Sequence, residues 1–299
     1  MPVPGHRRPL IAPAELAALL CSEPERVRVI DVRWVLGAPG RGRQAYDAGH
    51  LPGAIFLDVD GELTGAEGPG RHPLPSPVEF RRRLEAAGIG SDHLVVGYDD
   101  VAGWVAARLW WMLDDLGHEQ TAVLDGGYQG WVTEGQPVTT EVPDYQAADL
   151  DLADAWTNTI DREGLLERLG DVVLLDGRGG PRYRGETEPI DPLPGHIPTA
   201  ISAPTDGNLG ADGRLLDPTD IAERFRSLGA DGSRGPVVTS CGSGVSACLN
   251  SLAMRVAGLP DPILYPGSYS DWSRAGLPVA VGPEPGAVPA SVARSRAAR

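Results

Sequence analysis

The sequence predicts an α/β protein made of two similar domains, each a mostly parallel sheet with helices on both faces. Two observations support this prediction. Short apolar runs alternate with amphipathic segments along the chain, and the second half repeats the pattern of the first. The chain has 299 residues, 41% of them hydrophobic and 22% charged, so it is long enough for two globular domains with separate cores.

The repeat consists of four blocks that occur in the same order in both halves. Each half has an Asp-x-Arg motif after an apolar run, then a Gly-His-x-Pro-x-Ala-Ile motif, a second apolar run, and a glycine-rich segment with a tryptophan. The paired segments are 29–34 with 174–179, 49–55 with 195–201, 93–100 with 235–242, and the segments around Trp131 and Trp272. Four matches in one order indicate a duplicated domain.

The elements of the second half can be assigned one after another. The apolar runs "DVVLLD", "TAISAP", "PVVTS" and "PILYP" predict buried strands. The segments "DPTDIAERFRSLG" and "SACLNSLAMRVAG" have apolar residues at helical spacing, and Asp217 or Thr219 can cap the first of them. Glycines follow both helices, at Gly229 and Gly258. The first half matches with "PVEFRRRLEAAG" and "VAARLWWMLDDLG".

These assignments predict the domain limits. Residues 1–140 form an N-terminal domain, and residues 141–156 form an acidic, proline-containing linker. Residues 157–284 form the C-terminal domain, and residues 285–299, rich in Pro, Ala, Ser and Arg, form a mobile tail.

Composition excludes several classes of function. The net charge of −15 argues against nucleic-acid and membrane partners, because phosphate groups are bound by basic patches. The apolar runs are far shorter than the ~20 residues of a membrane span. The N-terminus lacks the long apolar stretch and cleavage site of a signal peptide.

The cysteines indicate a reducing compartment. There are three of them, Cys21, Cys241 and Cys248, and no two have Cys-x-x-Cys spacing. An odd number without paired spacing makes a disulfide framework improbable, so a cytoplasmic location is predicted. No His/Cys cluster has the spacing of a zinc site, so no metal and no other cofactor is predicted.

Cys241 is the candidate functional residue, and it lies in the segment "SCGSGVSACLN" at 240–250. This position is at the end of a predicted strand, on a glycine-rich turn, at the start of a predicted helix. The aligned residue of the first half is Asp99. A charged residue is a poor substitute for a small core residue, whereas both suit a ligand-binding edge of a parallel sheet. Cys21 and Cys248 are interpreted as ordinary packing residues.

The loop around Cys241 has the properties of an anion site. Gly242 and Gly244 allow backbone angles that turn successive N–H groups inward, and the helix that begins near Ser246 adds its positive end. Both features favour a thiolate over a thiol, so Cys241 is predicted to be a nucleophile.

These motifs together resemble the tandem-domain rhodanese-type sulfurtransferases, over nearly all of residues 10–280. The resemblance implies that Cys241 takes a sulfane sulfur from a small donor, becomes a persulfide, and passes the sulfur to cyanide or a thiol, with a thioredoxin-like reductant as one such acceptor. It also implies an N-terminal domain without catalytic activity, and a structural role for Asp176 and Arg178. Arg182 and the loop residues Gly242, Gly244, Val245 and Ser246 are implied to bind the donor.

The loop "CGSGVSA" is similar to that of the 3-mercaptopyruvate sulfurtransferases. The resemblance implies a chain of Ser243, His72 and Asp60, with the last two from the first half. Thiosulfate-using members carry an Arg-Lys pair after the cysteine, where this chain has Gly242 and Ser243.

One departure concerns the clamp that binds the donor's carboxylate. Arg182 matches the first clamp arginine, and Arg184 could replace it. The region of the second arginine contains Ile190 and Asp191 instead, which predicts weak capture of 3-mercaptopyruvate and suggests that Asp191→Arg would restore the clamp.

Three other functions remain as alternatives. A thiosulfate-specific rhodanese fits the same fold and cysteine, and a non-enzymatic sulfur carrier or scaffold would need a protein donor. A Cys-dependent phosphatase of the same fold is disfavoured, because its loop ends in an arginine and the next arginine after Cys241 is Arg255. A serine hydrolase is disfavoured because neither Ser243 nor His72 lies in a Gly-x-Ser-x-Gly turn.

Overall fold

The computed structural model describes residues 8–290 and 292, and the chain divides into two compact units. The first unit contains the chain up to Ala66, Leu74–Thr157 and Leu209–Leu215. The second unit contains Glu67–Pro73, Asn158–Asn208 and the chain from Leu216 onward. Each unit therefore includes one short segment that the chain order alone would assign to the other.

The first unit contains a five-stranded, fully parallel sheet with the strand order β1-β5-β4-β2-β3. Its strands are β1 (Leu10–Ile11), β2 (Val27–Asp31), β3 (Ala54–Phe56), β4 (Leu94–Tyr98) and β5 (Thr121–Leu124). Its helices are α1 (Pro13–Ser22), α2 (Arg41–Ala48), α3 (Pro77–Ala86), α4 (Ala106–Asp115) and α5 (Gly127–Thr133). The predicted parallel sheet is confirmed in this half of the chain.

The second unit contains a four-stranded, fully parallel sheet with the strand order β7-β6-β8-β9. Its strands are β6 (Val173–Asp176), β7 (Ile201–Ser202), β8 (Val237–Ser240) and β9 (Ile263–Leu264). Its helices are α6 (Arg162–Arg168), α7 (Gly180–Tyr183), α8 (Pro218–Ser227), α9 (Ala247–Val256) and α10 (Ser268–Arg274). A parallel bridge between Thr159 and Leu264 lies where the first unit has β1.

Two of the ten-residue helices, α3 and α8, begin at a capping side chain. The side chain of Ser76 accepts a hydrogen bond from the backbone N–H of Glu79 at the start of α3. Asp217 does the same for Thr219 at the start of α8, and a proline follows each cap. The helices α2, α5, α6, α7 and α10 have eight residues or fewer, too short to show a helical period in the sequence.

The residues between and after the predicted domains also pack. Residues 141–156 contain no helix or strand, yet the Tyr145 hydroxyl donates to the carbonyl of Gly53 in the first unit. In the predicted tail, Pro285 accepts a hydrogen bond from the N–H of Thr199, and Val288 packs on the second core. Residues 293–299 of that tail lie outside the described residues.

Each unit has a hydrophobic core that includes residues of its sheet and one buried tryptophan, Trp131 or Trp272. The indole N–H of Trp131 donates to the carbonyl of Pro137, and that of Trp272 donates to Pro278, both at 2.8 Å. The duplicated sequence therefore forms the same packing twice. In the second unit the last residue of β8 is Ser240, so Cys241 stands at the carboxyl edge of the sheet.

Candidate active site

The Asp-x-Arg motif forms a buried ion pair in both units. Arg33 donates to both carboxylate oxygens of Asp31 and to the carbonyl of Gly49. Arg178 repeats this arrangement with Asp176 and with the carbonyl of Gly195. Each pair joins the end of a central strand to the loop before the next strand.

The histidine of the second motif is part of the same framework. His50 stacks on Tyr46 and His196 stacks on Tyr183, each with ring centroids 3.8 Å apart. In both units one ring nitrogen lies 2.8 Å from the carbonyl oxygen of that tyrosine. These histidines are fully buried, and both ring nitrogens of each lie within hydrogen-bond distance of backbone carbonyls, so they support the loops.

The loop of the first unit shows what this backbone conformation binds. The Asp99 carboxylate is fully buried and accepts four backbone N–H groups at 2.7–2.9 Å. The donors are Val101, Gly103, Val105 and Ala106. Four inward N–H groups on one anion define an anion-binding nest, and Asp99 fills it from within.

Asp99→Asn is expected to lower the free energy of unfolding by about 3 kcal/mol, because two buried N–H groups would face an amide N–H₂ and lose their acceptor. Urea unfolding followed by circular dichroism measures the change. Asp100→Asn, at the exposed neighbouring position, is the matched control and should have little effect. Equal stability of the Asp99→Asn and Asp100→Asn proteins would contradict the nest.

The Cys241 loop repeats this backbone shape at one left-handed position and departs from it at the next, where Gly103 has φ of 86° and the aligned Val245 has no positive φ. Ala102 has φ of 60° and the aligned Gly244 has φ of 77°, both in the left-handed region. An ideal Cβ on Gly244 would lie 2.4 Å from the carbonyl oxygen of Pro266, so no larger residue fits there. The N–H of Gly244 donates to Sγ of Cys241 at 3.2 Å, and Cys241 is 2% exposed.

A turn formed by residues 266–270 makes hydrogen bonds to the backbone of the cysteine loop. The N–H of Cys241 donates to Oγ of Ser268, and the N–H groups of Tyr269 and Ser270 donate to the carbonyls of Cys241 and Gly242. Ser268 has φ of 52°, in the same region as the aligned Gly127 with φ of 56°. Sequence reasoning missed Ser268, which stands where the first unit has a glycine and whose hydroxyl accepts the backbone N–H of Cys241.

Ser243 and His72 are in contact. Oγ of Ser243 lies 2.8 Å from Nδ1 of His72, and both residues are buried. His72 lies in Glu67–Pro73, the segment that belongs to the second unit. Asp60 lies in the first unit and accepts a hydrogen bond from the indole N–H of Trp34 at 2.9 Å. Its predicted role beside His72 stays a prediction.

Two arginines lie beside the cysteine loop. An ideal Cβ on Gly242 would lie 3.0 Å from Nη2 of Arg71 and 3.5 Å from Nη1 of Arg182. Asp191 forms ion pairs with both guanidinium groups. Nε of Arg71 is buried and has no hydrogen-bond partner among the described residues. The structure therefore places a second arginine in the region where the sequence showed only Ile190 and Asp191.

Glu188 connects these arginines to the Asp176–Arg178 pair. It forms ion pairs with Arg182 at 2.7 Å and with Arg178 at 3.2 Å. Burial by itself would raise the pKa of Glu188, but hydrogen bonds from Arg182 and from backbone N–H groups outweigh it and hold the pKa below its ordinary value. Glu188 is therefore ionised at neutral pH and fixes the orientation of Arg182.

The remaining predicted residues have clear positions. Val245 is buried and Ser246 is half-buried, both between Gly244 and the start of α9. Arg184 pairs with the exposed Glu186. Cys248 is buried in α9, and Cys21 is exposed. Within the described part of the chain, no group of three or more His, Cys, Asp or Glu residues could hold a metal ion, and no helix is long and apolar enough to cross a membrane.

Comparison with known proteins agrees with this geometry. A rhodanese-like domain matches twice, over residues 12–134 and 161–275. A Pseudomonas aeruginosa protein named "Probable 3-mercaptopyruvate sulfurtransferase" is 42% identical over 269 residues, covering 88% of this chain and 94% of the relative. A rat protein named thiosulfate sulfurtransferase is 33% identical over 265 residues, covering 84% of this chain and 86% of the relative.

Among solved structures, the 3-mercaptopyruvate sulfurtransferase from Leishmania major superposes with a TM-score of 0.80 at 29% identity. The match covers 92% of this chain and 76% of that one. The chain therefore belongs to the rhodanese family. Within that family it is a sulfurtransferase.

Proposed function

We propose that this protein takes sulfur from 3-mercaptopyruvate, holds it as a persulfide on Cys241, and passes it to a thiophilic acceptor. The observation that carries the choice of donor is the 2.8 Å contact between Oγ of Ser243 in the cysteine loop and Nδ1 of His72 in Glu67–Pro73. A serine–histidine pair can move a proton, and 3-mercaptopyruvate, unlike thiosulfate, requires one to be moved.

The first half-reaction forms the persulfide. The Cys241 thiolate attacks the sulfur of the donor's thiol, a sulfur–sulfur bond forms, and the carbon–sulfur bond breaks with its electron pair going to carbon. The thiol proton passes through Ser243 and His72 to that carbon, which gives pyruvate and leaves Cys241 as a persulfide anion. Charge and atoms balance, since thiolate and donor carry two negative charges, as do persulfide and pyruvate.

The second half-reaction returns the enzyme to its sulfur-free state. A cyanide ion attacks the outer sulfur of the persulfide, thiocyanate leaves, and the Cys241 thiolate is regenerated. Two thiols, or the two thiols of a thioredoxin-like dithiol, can supply the two electrons that release the same sulfur as hydrosulfide, and they form a disulfide with each other. The loop supports both anions of the cycle, because the N–H of Gly244 donates to Sγ of Cys241 and α9 begins directly after the loop, at Ala247, with its positive end toward it.

Arg71 and Arg182 are proposed to bind the donor's carboxylate. Both guanidinium groups lie beside Gly242, and the buried Nε of Arg71 would gain an acceptor when a carboxylate binds. The site then has the two arginines of a carboxylate clamp, one from Glu67–Pro73 and one from α7.

Arg71→Gln is expected to raise KM for 3-mercaptopyruvate by roughly 10- to 150-fold, because one charge-assisted contact is worth about 1.5–3 kcal/mol. The proton chemistry does not involve Arg71, so kcat should change much less. Steady-state turnover with cyanide as acceptor measures both constants. Arg184→Gln, in which the exposed Arg184–Glu186 pair is removed, is the matched control. An unchanged KM in Arg71→Gln would remove Arg71 from the clamp.

A thiosulfate-specific rhodanese is the second candidate, and one observation favours it. Two arginines and a nest can also bind the oxygens of thiosulfate. Sulfur transfer from thiosulfate requires no proton transfer to carbon and therefore no Ser243. Turnover of the wild-type protein with 3-mercaptopyruvate and thiosulfate side by side distinguishes the two. A higher kcat/KM for thiosulfate would favour the second candidate.

A further inference from the structure

We propose that Asp191 sets the charge selectivity of the donor site, by cancelling part of the positive charge of Arg71 and Arg182 so that a monoanionic carboxylate donor is preferred to dianionic thiosulfate. This proposal rests on the proposed function. It concerns the acidic residue that the sequence shows in the region of the second clamp arginine.

Asp191 is placed to act on both arginines at once. Its side chain is fully buried, one carboxylate oxygen pairs with Arg71, and the other lies 3.1 Å from Nη2 of Arg182. The same two guanidinium groups face Gly242 in the cysteine loop. A buried carboxylate that bridges two cations beside Gly242 changes the potential at the donor more than an exposed acid does.

The surrounding charges sum to zero when Asp191 is ionised. Arg182 shares Glu188 with Arg178, and Arg178 pairs with Asp176. The connected cluster has three cations and three anions, namely Arg71, Arg178, Arg182, Asp176, Glu188 and Asp191. The arginines therefore offer directed hydrogen bonds to a donor without a large net positive charge.

This balance affects the two donors differently. At neutral pH thiosulfate carries two negative charges, whereas the carboxylate of 3-mercaptopyruvate carries one. Removal of the Asp191 charge leaves the cluster with one net positive charge, and the attraction gained by a dianion is twice that gained by a monoanion at the same place. Loss of Asp191 should therefore shift the preference toward thiosulfate.

The test compares kcat/KM for thiosulfate and for 3-mercaptopyruvate, with cyanide as the common acceptor. The variants are Asp191→Asn, which keeps one acceptor oxygen for an arginine, and Asp191→Ser, which removes the charge with a smaller side chain. Glu186→Gln is the matched control, because it lies in the same loop, changes the net charge of the chain by the same amount and contacts only Arg184 among the ion pairs described.

We expect the ratio of thiosulfate to 3-mercaptopyruvate kcat/KM to rise by about tenfold in both Asp191 variants, and to stay unchanged in Glu186→Gln. The rise should shrink at high ionic strength to the extent that solvent reaches the site. An unchanged or lower ratio in a folded Asp191 variant would overturn the role of Asp191.

A failure of the proposed function would be visible separately. The wild-type protein is treated with each donor, and the sulfur bound to Cys241 is measured by intact mass. If 3-mercaptopyruvate adds sulfur and the ratio does not change in the variants, only the role of Asp191 fails. If the wild-type protein gains no sulfur from either donor, the proposed function fails and takes the selectivity proposal with it.

Discussion

Cys241→Ser is expected to abolish turnover with both 3-mercaptopyruvate and thiosulfate, lowering kcat by more than about 10³-fold. A serine hydroxyl in the same nest is a far weaker nucleophile toward sulfur than a thiolate, and it forms no persulfide. Steady-state formation of thiocyanate from cyanide measures the loss. The variant should fold, because serine is close in size to cysteine and the loop is supported by Ser268 and Gly244.

Cys21→Ser is the control for this experiment. Cys21 is exposed at the surface of α1 in the first unit, and its replacement should leave turnover unchanged. Residual activity of Cys241→Ser within tenfold of the wild-type protein would show that sulfur passes through another group, and the persulfide mechanism would be abandoned.

Ser243→Ala and His72→Ala are each expected to lower kcat for 3-mercaptopyruvate by about 10²-fold or more, the usual contribution of a positioned proton carrier. Both variants should retain turnover of thiosulfate, because its sulfur–sulfur bond breaks without proton transfer to carbon. The second donor is therefore an internal control for folding and for the reactivity of Cys241.

The two variants should also be non-additive. Ser243 and His72 form a hydrogen bond of 2.8 Å. The double variant Ser243→Ala/His72→Ala should therefore lower kcat little more than either single variant does. Equal losses with both donors would mean that the pair only supports the loop. Unchanged kcat for 3-mercaptopyruvate would remove the pair from the mechanism.

The fold could be predicted from the sequence because it is repeated. The Asp-x-Arg, histidine and tryptophan motifs make the same contacts in both units, down to hydrogen bonds of equal length. Two copies of a pattern identify structural residues, since those are the ones that stay the same. At the end of β4 and β8 the copies carry different chemical groups, Asp99 against Cys241, and this difference predicts the functional position.

The proposed donor site could be predicted from the sequence only in part. Cys241, Ser243 and Arg182 lie close to one another in the second half, and the family motif pointed to His72. Arg71 carried no signal, because an arginine in a glycine- and proline-rich segment looks like a surface residue. Its place beside Gly242 depends on packing of Glu67–Pro73 into the second unit, which no local pattern encodes.

The same long-range contact changes the interpretation of Asp191. In the sequence, Asp191 lies where the family resemblance implies an arginine, and Asp191→Arg was expected to restore the carboxylate clamp. In the structure Asp191 holds both Arg71 and Arg182, so that substitution would remove their shared carboxylate and add a third guanidinium beside them. A residue 120 positions away in the sequence supplies the missing charge.

The most direct test of the account is the intact mass of the wild-type protein after treatment with 3-mercaptopyruvate and removal of excess donor. The persulfide mechanism predicts one added sulfur atom per chain, located on the peptide that contains Cys241. Cyanide should remove this sulfur with release of one equivalent of thiocyanate. No added sulfur, or a sulfur that remains when Cys241 is replaced by serine, would contradict it.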